Sequence, residues 1–177
     1  MHRSVLFVFA MTSILLSLVV GSATAQDAIS YLEYDGFTRS YSVRLPDDYD
    51  ENISYPVVIV LHGAGGNGLD MQTGTRMDEL GAEFQYISVF PDGVDRGWNF
   101  LDEDQMAQGD SYTDDVGFLN ALIDQLQADY NVDAGRVFLV GFSNGALLAI
   151  RAGCDLAPRL SGIAIVAGMY SYELIEH

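Results

Sequence analysis

The sequence contains no lysine. All eight of its basic residues are arginine, set against 25 acidic ones, for a net charge of −17 over 177 residues. A surface of that sign repels nucleic acid and anionic membranes, which excludes binding driven by phosphate neutralisation. It suits a salty medium, where screening relieves the self-repulsion. Cysteine is almost as scarce: Cys154 stands alone. It reads as a small buried hydrophobe or, in an exported protein, as half of a bridge whose partner this sequence lacks. Long hydrophobic runs are missing too. The segment from Val5 to Val20, broken by Thr12, Ser13 and Ser17, falls short of the ~20 residues that a membrane-spanning helix needs. It follows Met1-His2-Arg3 and precedes Ala23-Thr24-Ala25, the build of a secretory signal peptide. No cysteine stands directly after the run, which argues against a lipid anchor at this point. Residues 1–25 are therefore expected to be a cleaved leader, and 26–177 an exported chain with no membrane association afterwards. Internal repeats and low-complexity tracts are absent, and the length suits one ordinary domain rather than two.

What is present is organised around Arg136-Val-Phe-Leu-Val-Gly-Phe-Ser-Asn-Gly-Ala146. Val137 to Val140 form an apolar run suited to a strand buried on both faces, and Ala146 to Ala152 is rich in helix formers. Between them lies Gly141-Phe142-Ser143-Asn144-Gly145, a G-x-S-x-G. A serine on a sharp strand-to-helix turn lifts its hydroxyl clear of the backbone, and the flanking glycines allow the close packing this forces. The helix that begins there aims its free N–H groups at a centre where negative charge develops. The pattern resembles the nucleophile elbow of α/β-hydrolases, with Ser143 as nucleophile.

Earlier in the chain, two strand-like runs, Ile29–Tyr34 and Thr38–Leu45, flank Asp35-Gly36, a hairpin-turn pair. Tyr55–Leu61 is an unbroken, β-branched run expected as a central strand. Asp70–Leu80 is expected as one helix stopped by Gly81. Tyr86–Phe90 reads as a short strand, and Thr113 to about Tyr130 as a helix with Val116, Leu119, Leu122, Ile123 and Leu126 on one face. Ser161–Ala167 reads as another buried strand. This alternation implies an α/β fold, a mostly parallel sheet with helices on both faces.

The strand at 55–61 delivers His62-Gly63-Ala64-Gly65-Gly66-Asn67-Gly68 to its carboxyl end, where α/β sheets place their chemistry. The loop is similar to the H-G-G-G loop of esterases and lipases, which supplies one oxyanion-hole donor. The expected donors are the backbone N–H of Ala64 or Gly65 and that of Asn144, with His62 and Gly63 supporting the loop. The missing G-K-[ST] ending argues against a phosphate-binding role. His62 is not expected to be the base, which in this fold follows the serine in the chain. After Ser143 the chain offers only Asp155, Glu173, Glu176 and His177, none well placed for a triad. Trp98 is expected either to contact substrate as an apolar wall or to pack the loop. The acidic run from Asp102 to Asp115 reads as a solvated loop leading into a helix, with no metal.

Six stretches, read in order, resemble the secreted polyhydroxybutyrate-depolymerase and feruloyl-esterase type of α/β-hydrolase. They are Tyr41–Pro46, Leu61–Gly68, Pro91-Asp92-Gly93, Trp98-Asn99, Asp114–Phe118 and Arg136–Ala146. The resemblance implies a carboxylic-ester hydrolase with a Ser-Asp-His triad, acting on polyesters or on feruloyl and acetyl esters of polysaccharides, without cofactor or metal. The family's acid and histidine have no matching positions, so the C-terminal strands are expected to be missing and the triad completed beyond them. The alternatives are a serine peptidase of the same fold and a non-catalytic binding protein.

Overall fold

Asp35 and Gly36 take positive φ angles of 49° and 77°, the conformation of a tight hairpin turn. They close β1 (Ala28–Tyr34) onto β2 (Phe37–Arg44), paired antiparallel from Ala28 opposite Val43 to Tyr34 opposite Phe37. This computed structural model describes residues 28–103 and 112–168. The expected leader over 1–25 lies outside the described residues, as do Glu173, Glu176, His177 and the middle of the acidic run.

The apolar run at Tyr55–Leu61 is β3, and Ile87–Pro91 is β4. The elbow strand, β5, is longer than its apolar centre suggests and spans Val132–Phe142; β6 is Gly162–Val166. The six strands lie in the order β1-β2-β4-β3-β5-β6. β2 pairs antiparallel with β4, and β3 pairs parallel with both β4 and β5. β5 in turn pairs parallel with β6. The crossing of chain order puts the carboxyl ends of β3 and β5 side by side, Leu61 opposite Gly141.

Helices cover both faces. Along β2, period-two alternation sends Arg39, Tyr41 and Val43 inward, and Tyr41 and Val43 join Phe118, Leu119, Leu122, Ile123 and Leu126 of α3 (Asp115–Asp129) in the core. Ser42 faces the other way and meets Gln72 at 3.4 Å. Burying each such Leu or Phe contributes about 1.5–3 kcal/mol, so this helix face anchors the sheet.

Two expectations need correction here. The single helix over 70–80 is two, α1 (Gly68–Thr75) and α2 (Met77–Phe84), because Arg76 between them turns to a φ of 55°. Gly81 does not stop a helix. It lies buried inside α2, where a Cβ would stand 2.6 Å from Ser88 Oγ and 2.8 Å from the Tyr86 carbonyl oxygen; the glycine lets the helix close onto β4. The strand at 161–167 exists as β6, but it is not buried: Ile163, Ile165 and Val166 are 40, 37 and 49% exposed. The described residues place nothing against its outer edge.

Candidate active site

The chain leaves β5 at Phe142 and enters α4 (Asn144–Asp155) with one residue between them, Ser143. Ser143 has φ 52° and ψ −113°, a combination that costs a non-glycine residue about 1–3 kcal/mol. Its own N–H donates to the Val166 carbonyl at 2.9 Å, and its carbonyl accepts from Ala146 at 3.0 Å. The strain is thus fixed from both sides by β6 and by the first turn of α4. The two glycines of the motif are steric requirements. A Cβ on Gly141 would overlap the Gly145 carbonyl, and one on Gly145 would lie 2.5 Å from the His62 oxygen and 2.7 Å from the Leu61 oxygen. Gly145 therefore allows the start of α4 to touch the end of β3.

That contact brings the glycine loop to the serine. A Cβ on Gly63 would sit 3.0 Å from the Phe142 ring and 3.3 Å from Ser143 Cβ. His62 is buried and uses both ring nitrogens. The Gly93 N–H donates to Nε2 at 2.9 Å, so Nδ1 carries the proton and donates to the Gly63 carbonyl at 2.8 Å. A ring held this way orders the loop and has no nitrogen left for proton transfer. Of the two donors expected in the loop, Gly65 is occupied: its N–H donates to the Arg96 carbonyl at 2.7 Å. The N–H groups of Ala64 and of Asn144, the first residue of α4, have no protein acceptor among the described residues.

A third segment joins these two. Residues 92–99 run behind the glycine loop. Asp92 accepts from the Gly68 N–H at 2.7 Å and from Ser40 Oγ at 2.6 Å. Trp98 is 5% exposed; its indole N–H donates to the His62 carbonyl at 2.9 Å, and its ring lies 4.8 Å from the His62 ring. The substrate-contacting role considered for Trp98 gives way to the packing one, because its face and its donor are both spent on His62. The Trp98 backbone is gripped by the Asn144 side chain: Oδ1 accepts the Trp98 N–H at 2.7 Å and Nδ2 donates to the Trp98 carbonyl at 2.9 Å.

Under this segment lies an ion pair that sequence reading missed. Arg39 Nη2 and Asp115 Oδ1 are 2.6 Å apart, with side chains 3% and 0% exposed. The other Asp115 oxygen accepts from the Asn99 N–H at 2.7 Å and Thr113 Oγ1 at 3.1 Å. The Arg39 guanidinium also lies 3.9 Å from the Phe118 ring centre. Asp114 caps α3 through the Gly117 N–H at 2.8 Å and accepts from the Tyr34 hydroxyl at 2.8 Å. Burial, and then the Asp114 carboxylate, push the Tyr34 phenol up to about 12. A Cβ on Gly117 would collide with that same hydroxyl. Each residue of Asp114-Asp-Val-Gly-Phe118 bar Val116 is thereby explained as scaffold. The signal was present in the alternation of β2, which puts an arginine on the apolar side.

Ser143 Oγ has no hydrogen-bond partner among the described residues, and His62 is their only histidine. Asp155, at the end of α4, is turned away to Arg151 at 2.5 Å.

With this geometry in hand, the comparisons are specific. Residues 36–170 match the model of the Esterase family, described as "Putative esterase". "Probable feruloyl esterase C" of Aspergillus niger is 28% identical over 135 residues, covering 73% of this chain and 46% of the relative. "Feruloyl esterase C" of Emericella nidulans is 27% identical with the same coverage. The chain thus spans about half the length of the curated relatives it matches. Among solved structures, "Acetyl xylan esterase from Aspergillus awamori" superposes with a TM-score of 0.66 at 13% identity, over 82% of this chain and 56% of the other. A "ferulic acid esterase" gives 0.63 at 20%, over 82% and 59%. These likenesses show an α/β-hydrolase fold, and the family match over the same strands, loop and serine turn settles the assignment: the chain belongs to the esterase family of α/β-hydrolases.

Proposed function

We propose that this chain carries the nucleophile and the oxyanion hole of a secreted carboxylic-ester hydrolase. The observation that carries the reading is Ser143 on its strained turn, beside two backbone N–H groups, of Ala64 and Asn144, with no protein acceptor among the described residues. Ser143 Oγ attacks the ester carbonyl carbon and gives its proton to a histidine supplied from outside the described residues. The carbonyl oxygen takes the electron pair and rests on the two N–H groups, where each donor is worth about 3 kcal/mol to the transition state. Collapse expels the alcohol, which takes up the proton, and water then clears the acyl-enzyme.

The names of the relatives favour feruloyl and acetyl esters of polysaccharides as substrates, with hydroxyalkanoate polyesters as the competing class. The leader-like residues 1–25 favour export, which an N-terminus near Gln26 in the mature protein would support. The test uses the protein as its source produces it. A fluorophosphonate probe is expected to label Ser143, and Ser143→Ala is expected to abolish hydrolysis of a nitrophenyl ester and of methyl ferulate. Undiminished turnover in that variant sinks the assignment. A second reading, a binding protein without catalysis, is favoured by the lack of a base near Ser143 among the described residues. It predicts polysaccharide binding with Ser143 unlabelled.

A further inference from the structure

The two N–H groups assigned to the oxyanion belong to segments far apart in the chain, one after β3 and one after β5. Stabilising one oxygen requires them to be held to within about 0.5 Å of a common geometry. Direct contact at Gly145 supplies part of this. The remainder runs through residues 93–98, which touch both sides. They meet the glycine loop through the Gly93 N–H on His62 Nε2, the Arg96 carbonyl on the Gly65 N–H and the Trp98 indole on the His62 carbonyl, at 2.9, 2.7 and 2.9 Å. They meet α4 through a single side chain, the Asn144 carboxamide, bonded to both the N–H and the carbonyl of Trp98.

We infer that the Asn144 side chain is a positioning residue: it clamps the Trp98 peptide groups and thereby sets the separation between the Ala64 and Asn144 N–H donors. The inference rests on the esterase reading above. A carboxamide is the side chain that suits the place, since it offers one acceptor to the Trp98 N–H and one donor to the Trp98 carbonyl. An aspartate keeps the acceptor and sets a carboxylate against the carbonyl. An alanine loses both bonds but keeps the backbone N–H that would meet the oxyanion. Asn144→Ala therefore separates the clamp from the donor it positions. The clamp is made to the peptide groups of Trp98, so the identity of that ring matters for His62 and not for the grip on α4.

The effect belongs to the transition state, because the donors meet the oxygen closely only once it bears charge. A displacement near 1 Å can cost on the order of 10²-fold in rate. In the protein as its source produces it, Asn144→Ala is expected to lower kcat for a nitrophenyl ester about 10- to 100-fold, with KM within threefold of the parent. Affinity for a trifluoromethyl ketone, whose adduct with Ser143 carries the same oxyanion, is expected to fall in parallel with kcat. Asn144→Asp is expected to fall less than Asn144→Ala, and it carries the test alone if the alanine variant does not fold. A merely structural residue would lower the melting temperature and leave kcat per folded molecule and ketone affinity unchanged. That result, or a kcat within threefold of the parent, overturns the clamp. Ser143→Ala measured beside them keeps the two ideas apart. If it is dead while the Asn144 variants are unimpaired, only the clamp fails; if it turns over fully, or if the parent is inert, the esterase reading and the clamp fall together.

Discussion

Removing the Asp115 carboxylate should be the most damaging single change within this scaffold. Asp115 is fully buried and holds three groups at once: the Arg39 guanidinium at 2.6 Å, the Asn99 N–H at 2.7 Å and the Thr113 hydroxyl at 3.1 Å. Asp115→Ala leaves a guanidinium in the core with no counter-charge, a change that costs about 3–5 kcal/mol when one partner of a buried pair is deleted. The orphaned Asn99 N–H adds about 1–3 kcal/mol if no water reaches it. The two losses overlap, so about 4–5 kcal/mol is expected, against total stabilities of about 5–15 kcal/mol for a domain. Urea unfolding measures this directly, with a fall in melting temperature of about 10–15 °C alongside. The companion variant carries both Arg39→Met and Asp115→Leu. It removes the uncompensated charge while filling the space, and it is expected to recover at least half of the loss. A loss below 1 kcal/mol in the single variant, or a double variant no better than the single, would refute the reasoning that the pair is a buried, mutually dependent unit.

Tyr34 gives a pH signature. Its phenol is raised from an ordinary value of 10 to about 12, chiefly by burial and then by Asp114, so the folded state favours the neutral form. The resulting stability is complete below pH 10 and is lost as pH rises through 12. Unfolding free energies should therefore drop between those values in the parent and stay flatter in Tyr34→Phe; identical profiles would show that the phenol does not titrate there. Gly145→Ala places a methyl 2.5 Å from the His62 oxygen and 2.7 Å from the Leu61 oxygen, both backbone atoms that cannot rotate away. A cost of about 1–3 kcal/mol in urea unfolding is expected, with kcat on a nitrophenyl ester falling about 10²-fold as the loop retreats. A fully active, equally stable variant would mean that the contact is looser than described.

Local signals are legible in the sequence, and long-range ones are not. Asp35-Gly36, the unbroken Tyr55–Leu61 run and the glycines around Ser143 each dictate their own backbone, so their elements appear where expected. The break at Arg76 has no proline to announce it and only Gly74, two residues earlier, as a local cue; Arg76 itself takes the left-handed turn. The exposure of β6 was illegible for the opposite reason. Its residues are as apolar as those of β3, and only the sheet order reveals that, among the described residues, it has a neighbour on one side. Trp98, Asn144, Arg39 and Asp115 acquire their meaning through pairs separated by 46 and 76 residues. No periodicity encodes such a pairing, although an arginine at an inward position of β2 marks where a partner is required.

The strand order also has a consequence for how the chain is made. β3 is flanked in the sheet by β4 and β5, yet it leaves the ribosome well before β5 begins at Val132. The interval after Leu61 is roughly 70 residues, or about 4–14 seconds at 5–20 residues per second. Throughout it, one edge of this unbroken apolar strand lies open, and such an edge invites pairing with other chains. The hairpin of β1 and β2 can form on its own at once, and β4 can shield the other edge of β3 within some 30 residues. The edge that later carries the serine turn cannot be shielded early by anything in this order. Export or chaperone capture that keeps the nascent chain extended until β5 has emerged would therefore matter more for yield of this protein than for one whose neighbouring strands follow each other in sequence.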